Sequence, residues 1–307
     1  KETTLPLYFK TGVAYFGEKE SATLKAIANS AAQYQVGVQR IKVEETKKYF
    51  PAFNLPPDFD TLFEPEAGFL TPERAIHLYT RHAESRGASI HTGEKVIEWK
   101  MDGSAITVQT SRGSYECDKL VFTSGSWSSK LILQLPTKLK VTRQTLAWIN
   151  PKDPGLFSLG NSPCWLIDDP ERGIFYGFPI LPFENFGGPI GLKVASHRSG
   201  PVVDPDSADR SVGADDTETI HYLLSKYLPM AGDEIITLKT CLYTYTDDEN
   251  FIIDHLPGFD KKVVVACGFS GHGFKFVSVI GEILADLAVN GKTDLPIGFL
   301  SLKRFQV

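Results

Sequence analysis

Val263-Val264-Val265-Ala266-Cys267-Gly268-Phe269-Ser270-Gly271-His272-Gly273-Phe274-Lys275-Phe276 decides how this chain is read. Its apolar opening has the length of a buried strand. Val277, Ile280, Ile283, Leu284 and Leu287 follow at helical spacing, so a strand feeds a glycine-rich loop that opens a helix. Glycine lacks a Cβ and lets a ligand approach the backbone, while the unpaired N–H groups and positive dipole end of the helix face the loop. That arrangement suits an anionic or electron-accepting group. The glycines are spaced Gly-x-x-Gly-x-Gly and not in the Gly-x-Gly-x-x-Gly of a dinucleotide fingerprint, so a tight strand-to-helix turn is the plain alternative.

Composition narrows function mainly by exclusion. The 307 residues are 42% hydrophobic and 22% charged, enough to build one large or two smaller packed domains. Net charge is −5 with both signs interspersed, which leaves no basic stripe for a nucleic-acid backbone or an anionic membrane. No apolar run nears the roughly 20 residues that cross a bilayer, and no signal-like segment opens the sequence, so the expected setting is cytoplasmic. Cys117, Cys164, Cys241 and Cys267 are widely spaced with no Cys-x-x-Cys pair. Neither a disulfide framework nor a metal site is expected.

Turn and cap signals organise the rest. Thr71-Pro72-Glu73 marks a helix start, with Ala75, Ile76, Leu78, Tyr79 and Ala83 as its expected buried face and Gly87 as its stop. Asp102-Gly103 and Arg112-Gly113 separate three short strands of a meander. Leu120-Val121-Phe122 reads as a further strand, ending at Ser124-Gly125-Ser126-Trp127. Beyond Val141, short β segments such as Ile174-Phe175-Tyr176 and Leu192-Lys193-Val194 point to a mixed sheet. Residues 198–216 read as a polar surface loop ahead of a helix that buries Ile220, Leu223, Leu224 and Leu228.

Three blocks then carry a resemblance: Cys241-Leu242-Tyr243-Thr244, Asp248-Glu249-Asn250-Phe251-Ile252-Ile253-Asp254, and the loop from Gly268 to Lys275. Together they resemble the C-terminal part of monomeric sarcosine oxidases and related flavin amine oxidases, which act on N-methyl and cyclic secondary amino acids. The similarity runs from Lys10-Thr11-Gly12 through Asp118-Lys119 and Trp127 to Leu302-Lys303-Arg304-Phe305. It implies an α/β (α+β) fold of two interleaved domains. A glutathione-reductase-like FAD-binding domain would be drawn from residues 74–138 and 244–307, and a substrate domain with a mixed β-sheet from residues 1–73 and 139–243. The family also opens with a βαβ unit whose glycine turn holds the FAD pyrophosphate. The sequence begins at Lys1-Glu2-Thr3-Thr4 without that unit or an initiator methionine, and a fragment is the expectation.

The same resemblance implies roles for individual residues. Cys241 would carry FAD through a thioether to the 8α-methyl group, since a thiolate suits attack on an electron-poor ring; taken alone it reads as an inert core residue, as Cys117, Cys164 and Cys267 do. Lys275 would pair with the substrate carboxylate, where the plain alternative is a first-turn lysine reaching for water. Lys193 would face the flavin and favour electron transfer to O2, although strand alternation alone would place it on a solvent face. His272 would orient substrate and flavin, or else merely bond to its own loop. Tyr176 and Tyr243 would line the substrate cavity, and Gly125, Trp127, Gly268, Gly271, Gly273 and Phe274 would bind the cofactor. Residues 180–190 form a longer loop than the family's and bear, with Ile167 and Tyr243, on cavity shape.

The implied activity is FAD-dependent oxidation of a secondary amino acid to an imine, with O2 reduced to hydrogen peroxide, by a monomer whose partners are the amino acid and O2. The alternative is a non-catalytic chain that binds amino-acid carboxylates or pairs with a separate flavin-binding segment.

Overall fold

A computed structural model describes residues 6–305, so the opening Lys1-Glu2-Thr3-Thr4 lies outside the described residues. The strands, in order, begin with β1 (Tyr8–Lys10), β2 (Val13–Glu18), β3 (Gln39–Ile41), β4 (Phe59–Glu64) and β5 (Gly68–Leu70). The meander β6 (Val96–Asp102), β7 (Ala105–Thr110) and β8 (Ser114–Cys117) precedes β9 (Leu120–Phe122). Then come β10 (Lys140–Ile149), β11 (Cys164–Asp169), β12 (Gly173–Phe178), β13 (Leu192–Ser196), β14 (Ile235–Tyr245), β15 (Ile252–His255) and β16 (Val263–Cys267). The helices are α1 (Ala22–Gln33), α2 (Val43–Tyr49), α3 (Pro72–Ser85), α4 (Ser128–Leu131), α5 (Phe183–Phe186), α6 (Ala214–Tyr227) and α7 (Val277–Asn290). None of the helices among the described residues is long and apolar enough to cross a membrane.

The chain divides into two units, each assembled from separated segments. The first holds Lys1–Tyr79, Gln144–Gly200 and Asp209–Cys241, and the second holds Thr80–Arg143, Pro201–Ala208 and Leu242–Val307.

In the first unit the sheet order is β14-β10-β13-β12-β11-β2-β4-β3, and the parts of β10 and β14 that belong to this unit are 144–149 and 235–241. The pair β2 and β11 is parallel, whereas β11 with β12, β12 with β13, and β13 with β10 are antiparallel, which is the mixed sheet expected from the sequence. One face is buried under α6, whose Ile220, Leu223, Leu224 and Tyr227 fall on a single helical stripe against Phe16, Trp165, Phe175, Leu192 and Val194. Each such side chain, fully buried, contributes roughly 1.5–3 kcal/mol.

The first three residues of α6, 214–216, lie inside the stretch that the sequence suggested was loop. The cause is local: the Asp216 carboxylate accepts the Gly213 N–H at 2.9 Å and so caps the first turn. At the other end, Asp169, 2% exposed, locks the β11–β12 turn to α6. Its Oδ1 accepts the backbone N–H groups of Glu171 and Arg172 at 3.0 and 2.6 Å. Its Oδ2 accepts Tyr227 Oη at 2.6 Å, Tyr222 Oη at 2.9 Å and Lys226 Nζ at 2.9 Å.

The expected buried face of α3 is only partly correct. Ala75 is buried and Leu78 and Ala83 are half-buried, but Ile76 and Tyr79 are 55% and 50% exposed. Ile76 and Tyr79 share one i, i+3 stripe and Ala75 and Leu78 another, and only the second stripe turns inward. The Thr71 hydroxyl also departs from the expected cap, donating instead to the Leu7 carbonyl at 3.3 Å.

In the second unit β16 pairs parallel with β9 and antiparallel with β15, beside the three-stranded sheet of β6, β7 and β8. Every residue of β16 is fully buried because both faces are covered. Val263, Val265 and Cys267 pack with Ile106, Phe122 and Leu302, and Val264 and Ala266 pack with Ile280, Ile283, Leu284 and Leu287 of α7. Helix α7 ends at Gly291, whose φ of +70° supplies the left-handed C-cap.

Candidate functional site

The strand-loop-helix anticipated from the sequence is present: β16, then residues 268–273, then a 3-10 turn at Phe274–Phe276 that runs into α7. Gly268 and Gly271 have φ of +67° and +77°, and Ser270 between them has φ of +47°, a conformation a serine holds only under constraint. The constraint is visible. Ser270 is 1% exposed, its N–H donates to the Thr244 carbonyl of β14 at 2.9 Å, and its hydroxyl donates to Gly268 O at 3.2 Å.

This loop walls a cleft of about 610 Å³ in the second unit, together with Thr123, Gly125, Ser126, Tyr243 and the α7 residues Val277 and Ile280. Gly268, Gly271, Gly273, Phe274, Gly125 and Tyr243 therefore meet at one surface, whereas Trp127 does not line it. The Trp127 indole N–H donates instead to Asp206 Oδ1 at 2.9 Å. From the inside, the Ser126 and Thr244 hydroxyls are 3.1 Å apart, so the Gly125 turn is tied to β14. The walls are mainly glycine backbone and apolar side chains, with the short hydroxyl residues Thr123, Ser126, Thr244 and Ser270 among them, which fits the flat ring system of a flavin: a Cβ at Gly271 would strike the Tyr243 ring, and one at Gly268 would strike Thr246.

His272 and Lys275 border a second, apolar cleft of about 390 Å³, with Phe251, Phe276, Ile280 and Phe299. His272 Nδ1 donates to the Ser270 carbonyl at 2.9 Å, which orients the ring, and the ring packs on Phe251 at 5.0 Å. Lys275 makes no salt bridge among the described residues, and its Nζ lies 5.7 Å from the Phe276 ring. Apolar surroundings pull its pKa below the ordinary lysine value, and since the residue as a whole is open to solvent the pull is partial.

In the first unit, strand alternation sends Leu192 and Val194 into the core and Lys193 to the opposite face. That face is aromatic. Lys193 pairs across the sheet with Trp148 and Phe178, and its ammonium sits 5.4 and 5.2 Å from the two ring centroids. Desolvation lowers the Lys193 pKa, opposed by Glu73 and Cys241 and assisted by Lys239. Tyr176 stands on the same face, edge-on to Phe178 at 6.0 Å and to His197 at 6.2 Å.

Cys241 on β14 is half-buried. Burial pushes its thiol pKa up, while Lys193 and Arg210 pull it down. Burial pushes the Cys164 and Cys267 thiols up to about 11 and about 12, opposed at Cys164 by a hydrogen bond from Thr11 and at Cys267 by Ser128 and Arg304. Arg210, His197 and Ser126 were not singled out in the sequence. His197 had a readable signal, since it follows Lys193 by four residues and an even spacing along a strand returns to the same face.

A profile of the family described as FAD dependent oxidoreductase matches residues 2–287. Monomeric sarcosine oxidase from Bacillus sp. (strain B-0618) is 37% identical over 309 residues, covering 99% of this chain and 77% of that protein. N-methyl-L-tryptophan oxidase from Escherichia coli O157:H7 (strain EC4115 / EHEC) is 33% identical over 307 residues, covering 98% of this chain and 78% of its own length. Among solved structures, the open form of NikD, an unusual amino acid oxidase essential for nikkomycin biosynthesis, superposes with a TM-score of 0.81 at 24% identity, covering 96% of this chain and 77% of that one.

Proposed function

The chain belongs to the family of FAD-dependent oxidoreductases, and from that footing we propose that it oxidises an amino acid bearing a secondary amine, N-methylated or cyclic. It is a flavin-dependent amine oxidoreductase. The observation that carries the proposal is the glycine-walled cleft of residues 125, 268, 271 and 273, joined to 37% identity with a sarcosine oxidase over nearly the whole chain.

FAD, when bound, supplies a two-electron acceptor that takes the amine to an imine and returns the electrons to O2 as hydrogen peroxide. In this reading the chain's own residues do the rest. Gly125, Ser126 and residues 268–273 give the ring a flat surface without Cβ atoms. Lys275, an ammonium without a carboxylate partner among the described residues, takes the substrate carboxylate, and His272, fixed through Nδ1 on the Ser270 carbonyl, helps to orient the substrate. Lys193, desolvated between two rings, supplies a fixed positive charge that favours electron transfer to O2. Cys241 is the proposed covalent attachment point; burial raises its thiol pKa, and Lys193 and Arg210 partly offset that rise.

The test is anaerobic mixing of the purified full-length protein with a panel of N-methyl, cyclic and glycated amino acids. Bleaching of the flavin absorbance by at least one is expected, and a flavoprotein that no member reduces would end the proposal. Cys241→Ser addresses attachment separately: flavin should leave the denatured variant, and flavin still bound after acid precipitation would move the link to another residue.

A further inference from the structure

Residues 198–216 looked like a free surface loop, yet Pro201–Ala208 belong to the second unit while the residues on both sides belong to the first. Backbone bonds lay this segment along β10: Arg143 N–H donates to Pro201 O at 3.0 Å, Val203 N–H to Val141 O at 3.0 Å, and Thr142 bridges Val202. Its carboxylates then close on the turn that carries Gly125. Lys130 Nζ reaches Asp204 Oδ1 at 2.6 Å and Asp206 Oδ2 at 2.5 Å, and Trp127 Nε1 donates to Asp206 Oδ1 at 2.9 Å. Lys95 adds a longer contact to Asp206 at 3.7 Å, and Asp204 accepts the Asp206 N–H at 2.8 Å, which sets both carboxylates toward Lys130.

We propose that Pro201–Ala208 is a strap that holds the Gly125–Trp127 turn against the cofactor cleft, making Asp204, Asp206, Lys130 and Trp127 positioning residues for flavin binding. The inference rests on the reading of that cleft as the flavin site. Gly125 lines the cleft, and the turn that bears it is gripped from two sides. Inside, Ser126 contacts Thr244 and the buried Ser128 hydroxyl donates to Gly125 O at 2.8 Å. Outside, the only described partners of Trp127 and Lys130 that carry charge are Asp204 and Asp206. Lys130 and then Trp127 hold the Asp206 carboxyl down at about 2, so the strap stays charged across the neutral and mildly acidic range. All four groups sit at the surface, where ion pairs add little to overall stability. Such a clamp selects a local conformation of the turn without being needed for the fold.

The experiment uses the full-length protein in a Cys241→Ser background, so that FAD binding is reversible and titratable by quenching of flavin fluorescence. Asp206→Asn, Asp204→Asn and Lys130→Met should each weaken FAD binding roughly three- to fivefold at low salt. The difference from the parent should close in 1 M KCl, where the Debye length falls to about 3 Å. Trp127→Phe, which removes only the indole donor, should weaken binding with no change in salt dependence. The unfolding midpoint of the flavin-free protein should stay the same in all of them, which a merely structural role would not allow. Combining Lys130→Glu with Asp206→Lys should restore part of the affinity. Equal affinities at low salt, or a loss in the Asp204, Asp206 and Lys130 variants that persists unchanged in 1 M KCl, would overturn the strap while leaving the cleft assignment intact. A parent protein that takes up no FAD would overturn the cleft assignment, and the strap's role with it.

Discussion

Gly271 lies flat against Tyr243: a Cβ built on Gly271 would fall 2.3 Å from ring carbons Cδ2 and Cε2, at a backbone φ of +77°. Steric room and backbone handedness therefore require glycine independently. Gly271→Ala should cost about 1–3 kcal/mol through strain and ring displacement, and because Tyr243 walls the cleft it should also weaken FAD binding. Chemical denaturation and flavin titration measure the two effects. Wild-type stability in this variant would show that the loop relaxes freely.

Lys193 has a pKa lowered by desolvation, so between its folded value and the unfolded value near about 10.4 the unfolded chain binds more protons and stability rises with pH. Its charge is thus a stability cost that is full below the folded pKa and gone above the unfolded one. Lys193→Met should raise the melting midpoint of the flavin-free protein by about 2 °C at pH 7, with the gain fading toward pH 11. Reoxidation by O2 should slow while anaerobic reduction is nearly kept. An unchanged oxygen reaction would remove Lys193 from that step.

Lys275→Ala should weaken carboxylate-bearing substrates and inhibitors by about 2 kcal/mol, close to thirtyfold, and leave neutral amines much less affected. Titration with an acetate-type inhibitor, followed in the flavin spectrum, reads this directly. Equal affinity in variant and wild type would place the carboxylate elsewhere.

Asp169 is held below the usual carboxylate range: burial opposes the shift but is outweighed by Tyr227, Lys226 and the Arg172 N–H. A depressed carboxyl pKa contributes stability above the unfolded value near about 3.9, which is lost as pH falls through the folded value. Asp169→Asn leaves Lys226 without its buried partner and should destabilise by about 3 kcal/mol at neutral pH, with the gap to wild type narrowing on acidification. Parallel stability curves for the two proteins from pH 7 to pH 2 would contradict this account.

Much of the architecture was legible because local rules and packing agree. The β16 run, the loop glycines and the apolar stripe of α7 announce one another, and the alternation in Leu192-Lys193-Val194 already assigns Lys193 to the face opposite the core. The meander followed from its Asp-Gly and Arg-Gly turns. The motif around Cys241 identified the family, since those blocks combine residue types that packing alone does not demand.

What alternation cannot supply is the identity of the neighbour. Lys193 on an open face would be an ordinary solvated lysine; Trp148 and Phe178, which come from strands distant in sequence, make it a desolvated cation. Ile76 and Tyr79 carry as good a helical stripe as Ala75 and Leu78, and only tertiary packing selects which one is buried. Residues 198–216 are rich in Ser, Asp, Pro and Gly, so composition reads them as solvated loop. Their pairing with β10 rests on backbone bonds between distant segments, and that with Lys130 and Trp127 on carboxylates more than 70 positions away, contacts made by chain closure that no local window encodes. The sequence by itself determined the elements, the family and the residue chemistry; the tertiary structure decided which of those residues are desolvated, paired or strained, because those properties belong to neighbours brought together only on folding.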